Sequence, residues 1–269
     1  MQQAKLLSVL VVITALAVHA LVVAPAVLNN LGEALSSPYF KKPNKTNITM
    51  SLYTLTNLNS FPSIKKPAGL TIEESTEIQL LSILGNTTVD DVRNRLANDH
   101  LAFVAYINNQ PAAFGWMARG KAKIGELNHE LILPQWNRYL WNFRTLEAFR
   151  GLGIYPALLQ YILQFEKHKA NRFWIIHAPE NNSSLKGIKK AGFEYVGRLY
   201  SNKGIATIAN ASLSGIETLL TEMDIAISEE QAASCWNCSS PYLKKRKAEC
   251  CCSTSGVECV GNNLLSLAS

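Results

Sequence analysis

The segment Arg150-Gly151-Leu152-Gly153-Ile154-Tyr155 stands between a strand-like run and an amphipathic stretch. Two glycines at that junction let the backbone turn sharply, so that several N–H groups point outward from a helix N-terminus carrying about half a positive charge. Such a turn can cradle a pyrophosphate, although a glycine pair can also end a strand for structural reasons alone. Downstream, Asn181, Ser184, Gly192 and Phe193 follow at a spacing that leaves room for one helix and one strand. A second group with chemical potential is Glu126 to Leu133, predicted as one strand. Period-two alternation puts Glu126, Asn128 and Glu130 on one face, and His129 on the other with Leu127 and Leu131. Three polar side chains on one face suit a wet groove, with Glu126 and Glu130 as first candidates for a general base and His129 as third. An exposed edge face with a hydrogen-bonded core histidine is the alternative. All six cysteines fall between Cys235 and Cys259, so the main body offers neither a thiol nucleophile nor a cysteine metal site, and no metal is expected.

The elements that position these residues follow from periodicity. A first strand is predicted over Ser51–Leu55, then helical stretches over Glu73–Leu84 and Val89–Leu96, the second introduced by the capping pattern Thr88-Val-Asp-Asp91. Leu101–Ile107 and Pro111–Met117 form a hairpin pattern around Asn108-Asn109, a pair that tolerates positive φ. A strand over Tyr139–Leu146 leads into the glycine turn. A helix follows over Ile154–Lys167, with Pro156 in its first turn where the missing N–H costs nothing. Arg172–His177 is predicted as a buried strand, Ser183–Lys190 as a short helix and Phe193–Leu199 as another strand. Antiparallel strands first and a β-α-β-α-β run second give an α/β plan with a mixed sheet. Around the splayed region Trp136, Tyr139, Trp141 and Phe143 form an aromatic cluster, either core or the wall of an acceptor pocket.

The 269 residues are 48% hydrophobic and 17% charged, a globular composition. The net charge of +6 has its tightest run at Lys244-Lys245-Arg246-Lys247, which does not suggest a nucleic-acid partner. From Leu6 to Leu28 no residue is charged, long enough for a transmembrane helix. A signal peptide removed on export is the alternative. The division expected is 1–28 membrane anchor, 29–48 linker, 49–210 catalytic domain, and 211–269 a helix plus the cysteine-rich, partly disordered tail. Lys5 and the α-amino group lie before the segment and Lys41, Lys42 and Lys45 after it, a slight bias toward a single-pass protein with its body in the cytoplasm. Lipidation, disulfide pairing or zinc binding are the alternatives for the cysteines.

Arg-Gly-x-Gly opening a helix, then a strand, then Asn-x-x-Ser and Ala-Gly-Phe, resembles the acyl-CoA-binding core of the GNAT N-acetyltransferase superfamily, over slightly more than half the chain. The resemblance implies the acyl-CoA N-acyltransferase fold and acetyl-CoA as acyl donor. It implies that Arg150, Gly151, Leu152, Gly153, Ile154 and Tyr155 hold the pyrophosphate, that Thr145, Leu146 and Glu147 line the pantetheine arm, and that Asn181 and Ser184 contact the cofactor from the next helix. Two positions depart from the family pattern. Tyr155 stands where glycine or alanine is usual. Ile188 stands where many members place the tyrosine that reprotonates the thiolate, with Tyr155 and Tyr161 as stand-ins. The function expected is acetyl transfer to an amine acceptor, by direct attack in a ternary complex. The alternatives are a catalytically weakened acyl-CoA-binding or scaffolding module, and a relative that transfers a longer or aminoacyl group.

Overall fold

Runs of β-branched and aromatic residues, broken by residues that accept positive φ, lay down most of the strands. The computed structural model describes residues 49–178, 181–209, 211 and 214–229. In chain order these form β1 (Thr49–Leu55), β2 (Leu70–Ser75), α1 (Ile78–Gly85), α2 (Val89–Ala97), β3 (His100–Ile107) and β4 (Gln110–Ala118). A short hairpin, β5 (Lys121–Ile124) and β6 (His129–Ile132), is followed by β7 (Asn137–Thr145), α3 (Ile154–Glu166), β8 (Arg172–His177) and α4 (Asn182–Ala191). The described part ends with β9 (Glu194–Asn202), β10 (Ile205–Ala209), α5 (Glu217–Glu222) and β11 (Ala226–Ser228). The apolar segment Leu6–Leu28 and the cysteines from Cys235 to Cys259 lie outside the described residues. Among those described, no helix is long and apolar enough to cross a membrane.

Nine strands form one mixed sheet in the order β11-β10-β9-β1-β8-β7-β4-β3-β2. Only β7–β8 and β10–β11 run parallel. The first strand is therefore interior: β1 is inserted between β8 and β9, with Leu52 opposite Ile176 on one side and Gly197 on the other. Alternation along each strand divides the apolar residues between two faces. On one face Tyr53, Phe103, Met117, Phe173 and Ile175 meet Leu158, Leu159 and Ile162 of α3 and Leu185 and Ile188 of α4. On the other, Ala102, Val104, Phe114 and Trp116 meet Leu81, Leu84 and Val92 of α1 and α2. Beside them Leu52, Trp174 and Leu199 are covered by Ile124 and Leu131 of the hairpin and by Leu220 of α5. The folded unit thus continues past residue 210.

Local signals set several boundaries. Asn108 and Asn109, at φ 49° and 65°, turn β3 into β4. The Thr88 hydroxyl accepts the Asp91 N–H (3.0 Å) while the Asp91 carboxylate accepts the Thr88 N–H (3.3 Å), closing the capping box of α2. Two expectations are corrected. The helix expected from Glu73 begins only at Ile78, because Leu70–Ser75 extends along β3 as an edge strand with Leu70 and Ile72 packed toward α3. The single strand expected over Glu126–Leu133 is broken. Gly125 to Asn128 form a turn, closed by the Asn128 N–H donating to the Gly125 carbonyl (3.2 Å) with Asn128 at φ 50°, so β5 and β6 make a separate two-stranded sheet.

One clamp lies outside every predicted motif. Glu166, at the end of α3, is fully buried and accepts from Arg138 Nε (2.7 Å) and from Arg119 Nη2. Arg138 also donates to the Lys169 carbonyl (2.6 Å), and Arg119 to Asp99 (3.1 Å). One carboxylate thereby fixes the far end of α3 to the end of β4 and the start of β7.

Candidate active site

The site grows from a departure between parallel strands. β7 pairs with β8 from Asn137↔Arg172 to Leu140↔Ile175, after which β7 continues without β8 to Thr145. Its other edge stays on β4, but the register slips. Trp116 faces Trp141 and Phe114 faces Arg144, so two steps along β4 match three along β7. The extra residue is a bulge, with Asn142 at φ 52°. It reverses the alternation: Trp141 points to the face carrying α1 and α2, whereas Phe143 points to the face of α3, its ring filling the space over Gly115.

Beyond Thr145 a single 3₁₀ turn, Glu147–Phe149, leads to Arg150, whose Nε donates back to the Thr145 carbonyl (3.3 Å). Gly151 and Gly153 take φ of 82° and 80°, a region that disfavours any side chain, and Gly153 is the N-cap of α3. No side chain caps this helix and no acidic residue sits in its first turn, so its leading N–H groups remain available to an anion.

A cleft of about 590 Å³ opens here, lined among others by Phe143, Thr145, Arg150, Gly153, Tyr155 and Asn181. Arg144, Lys186 and Lys190 join Arg150 on its wall, and among the described residues no aspartate or glutamate lines it. Four cations and the uncapped end of α3 make it a receptor for a polyanion. Asn181 caps α4 by accepting the Ser184 N–H (3.1 Å), and its carbonyl accepts from His177 Nε2 (2.8 Å).

The structure brings together Thr145, Arg150, Gly151, Gly153, Ile154, Tyr155, Asn181 and Ser184 around one cleft. Leu146, Glu147 and Leu152 do not line it. The Leu146 N–H donates to the Ala112 carbonyl (2.8 Å) while its side chain packs toward α1 and α2, Glu147 belongs to the 3₁₀ turn, and Leu152 is exposed. Tyr155 turns away from the glycine turn. Its ring lies over Gly187 of α4, where a Cβ would fall 2.3 Å from a ring carbon, and meets Phe143 edge-on at 5.5 Å. Its hydroxyl is 3.4 Å from the Ser184 hydroxyl, and burial pushes its pKa up to about 12. Ile188 is a fully buried core residue, and Tyr161 packs on Phe103 and Phe165.

The three base candidates do not line the cleft. Glu126 sits in the β5–β6 turn, and Glu130 is exposed and paired with Lys121 (3.1 Å). His129 is buried with its Nε2 donating to the Met223 carbonyl (3.3 Å). Residues that periodicity passed over include Gly187, Lys186 and Lys190. For the lysines a signal existed, since a spacing of four puts both on one face of α4. Phe143 was named in the aromatic cluster, but the face it takes could not be read, because the bulge is invisible to alternation. Among the described residues no group of three or more His, Cys, Asp and Glu side chains could hold a metal ion.

Residues 72–193 match the model of the acetyltransferase (GNAT) family. Similar solved structures include a GCN5-related N-acetyltransferase from Kribbella flavida, with 16% identity and TM-score 0.40 over 55% of this chain and 54% of the other. Another, from Sphaerobacter thermophilus, has 13% identity and TM-score 0.41 over 62% and 53%. A Clostridium acetobutylicum protein solved with acetyl-CoA, described as a predicted acetyltransferase, has 17% identity and TM-score 0.33 over 46% and 90%. This chain spans a little over half the length of the first two. No curated protein matched. The match to the acetyltransferase (GNAT) family model thus runs from β2 to the Gly-Phe pair that follows α4, and members of that family transfer acyl groups from acyl-CoA.

Proposed function

We propose that the protein transfers an acetyl group from acetyl-CoA to an amine by direct attack in a ternary complex. The observation that carries this is the junction of three features at one cleft: the free edge of β7 beyond Leu140, the uncapped N-terminus of α3 behind Gly153, and the four cations on the wall. In this assignment the N–H groups at Gly151–Tyr155 and the Arg150 guanidinium hold the pyrophosphate. Lys186 and Lys190 meet further phosphate charge. The free edge from Asn142 to Thr145 pairs with the pantetheine arm, laying the thioester where β7 and β8 separate. Phe143 and Tyr155 give the arm an apolar floor.

The amine nitrogen attacks the thioester carbon, the carbonyl oxygen takes the charge, and the C–S bond breaks to release the CoA thiolate. No cysteine lies among the first 234 residues, so a cysteinyl intermediate plays no part. Among the described residues that line the cleft none is a carboxylate, and the proton leaves the amine through water. A lysine amine near pKa ~10.4 is only about one part in 2,500 neutral at pH 7, which favours an acceptor amine of lower pKa. Isothermal titration of acetyl-CoA into the wild type and into an Arg150→Glu, Gly153→Trp double variant tests the site. Binding by the wild type and none by the variant is expected; equal behaviour of the two refutes the assignment. Ile188 favours a second reading, an acyl-CoA-binding module without turnover, because a core isoleucine has no proton to give. Thiol release from acetyl-CoA with any amine excludes it.

A further inference from the structure

On the face of the sheet opposite α3, four side chains from α2, β3, β4 and β7 converge. Trp116 and Trp141 face each other across β4 and β7 with ring centroids 6.2 Å apart. The Arg95 guanidinium lies over both, 5.2 Å and 4.7 Å from the two centroids. His100 meets Trp141 edge-on at 5.4 Å. In this cluster Arg95 Nη1, Trp116 Nε1, Trp141 Nε1 and His100 Nδ1 are all buried with no hydrogen-bond partner.

Those four atoms specify a ligand. The first three are N–H donors, one of them on a guanidinium that stays charged. No acid pairs with it: the nearby Asp91 carboxylate is engaged by Thr87 and Thr88 at the cap of α2, and Asp99 by Arg119. His100 differs. Its Nε2 lies 2.9 Å from the Lys121 carbonyl and must carry the proton there, and burial lowers its pKa, so Nδ1 presents a lone pair. Three clustered donors, one of them on the cation itself, call for a carboxylate, and an adjacent lone pair calls for an N–H. Buried donors left without acceptors are costly, and a carboxylate satisfies several at once. The position also fits. Trp141 is the first residue of β7 past its last pairing with β8, so the cluster borders, from the opposite face, the same opening that the acetyl-CoA cleft borders from the side of α3. Arg95 and Trp141 are only half-buried, so rotation of the Arg95 side chain admits a ligand without opening the fold.

We propose that this cluster seats the acceptor, an amine that also carries a carboxylate: the carboxylate is held by Arg95, Trp116 and Trp141, and the amine N–H meets His100 Nδ1. This rests on the amine transfer proposed above. The test uses the full chain and a panel of free amino acids, each paired with the amine formed by its decarboxylation. Thiol release is one readout; tryptophan fluorescence titrated with the same compounds, without acetyl-CoA, is the other. The carboxylate-bearing member of a pair is expected to be preferred in kcat/KM by about 10- to 100-fold, the range for one charge-assisted hydrogen bond. Arg95→Gln should bring that preference close to unity and abolish the saturable fluorescence change while acetyl-CoA affinity is unaltered. Trp141→Phe, which keeps a ring and removes the N–H, should reduce the preference part of the way. Decarboxylated amines reacting as well as amino acids, or a preference that survives Arg95→Gln, overturns the seat and leaves the transfer function standing. Saturable, Arg95-dependent fluorescence without transfer to any compound upholds the seat and overturns the transfer function. No saturable response and no carboxylate preference overturns the seat outright.

Discussion

Replacing Gly187 by alanine ought to change the sign of its effect according to what stands at residue 155. Alanine is favoured over glycine inside a helix by about 1 kcal/mol, and Gly187 lies within α4, so propensity alone makes Gly187→Ala stabilising. Packing opposes it. A Cβ at 187 would sit 2.3 Å and 2.7 Å from two carbons of the Tyr155 ring, where ordinary contact begins at 3.4 Å, so the ring must retreat by about 1 Å. The ring is partly buried, held edge-on by Phe143, and close to Ser184, so it has little room to yield. Overpacking of this kind costs about 1–3 kcal/mol, which cancels or exceeds the helical gain. In a Tyr155→Ala background the obstacle is gone and only the gain remains, although Tyr155→Ala by itself loses about 3–5 kcal/mol of buried aromatic contact. Urea unfolding of the four proteins of the cycle should therefore give a coupling of about 1–3 kcal/mol, with Gly187→Ala neutral to destabilising in the first background and stabilising in the second. Equal stabilisation in both backgrounds would show that Tyr155 does not pack on Gly187, and the floor assigned to the cleft would fail with it.

Removing the Glu166 carboxylate in Glu166→Ala should destabilise by about 3–5 kcal/mol, because Arg138 and Arg119 keep their charges with no buried partner, and chemical denaturation measures it; a loss below about 1 kcal/mol refutes the clamp. Tyr155 has a folded-state pKa of about 12 against an ordinary 10, so its neutral form is the one the fold stabilises. That contribution is whole below pH 10 and declines as pH rises to 12, by roughly 2–3 kcal/mol, and the decline should be smaller by that amount in Tyr155→Phe when stability is followed across this range. Acetyl-CoA affinity should fall steeply as salt rises and lose part of that dependence in a Lys186→Gln, Lys190→Gln variant, as calorimetry at two ionic strengths would show. Protease protection in sealed vesicles tests whether Leu6–Leu28 anchors the chain; release of the whole protein by carbonate wash is the result that excludes an anchor.

What was legible in the sequence was local, and what was missed depended on partners far along the chain. The Asn108-Asn109 hairpin, the Thr88 cap and the Arg150–Tyr155 turn each involve residues a few positions apart, so type and spacing carry them. β1 was foreseen as a strand, yet nothing in Thr49–Leu55 says that it will lie between β8 and β9, since those pairings reach more than a hundred residues away. Glu166 has the look of a surface residue at a helix end until Arg119 and Arg138 are brought to it. Glu126 to Leu133 alternates as a strand should, but Gly125 and Asn128 supply a turn, and turn geometry overrode the period.

The departure at Tyr155 shows why a motif position cannot be judged alone. A bulky residue there looks like an obstruction to an anion at the glycine turn. In the folded protein the obstruction is moved elsewhere, because Gly187 removes the one side chain that would stop the ring from lying down on α4. The exchange leaves the N–H groups of the turn exposed and turns an aromatic face into cleft wall beside Phe143. Phe143 reaches that wall only because Asn142 bulges, and the same bulge leaves Trp141 on the opposite face with Arg95, Trp116 and His100. A single inserted residue in β7 therefore sends Phe143 toward the cleft at the glycine turn and keeps Trp141 in the Arg95 cluster on the opposite face. Deleting Asn142 sets Phe143 directly after Trp141, so strict alternation keeps the two rings on their opposite faces, and acetyl-CoA affinity and the fluorescence of the Trp116–Trp141 pair are both expected to persist. Loss of affinity in that deletion would mean that Asn142 itself, and not the face it gives to Phe143, shapes the cleft.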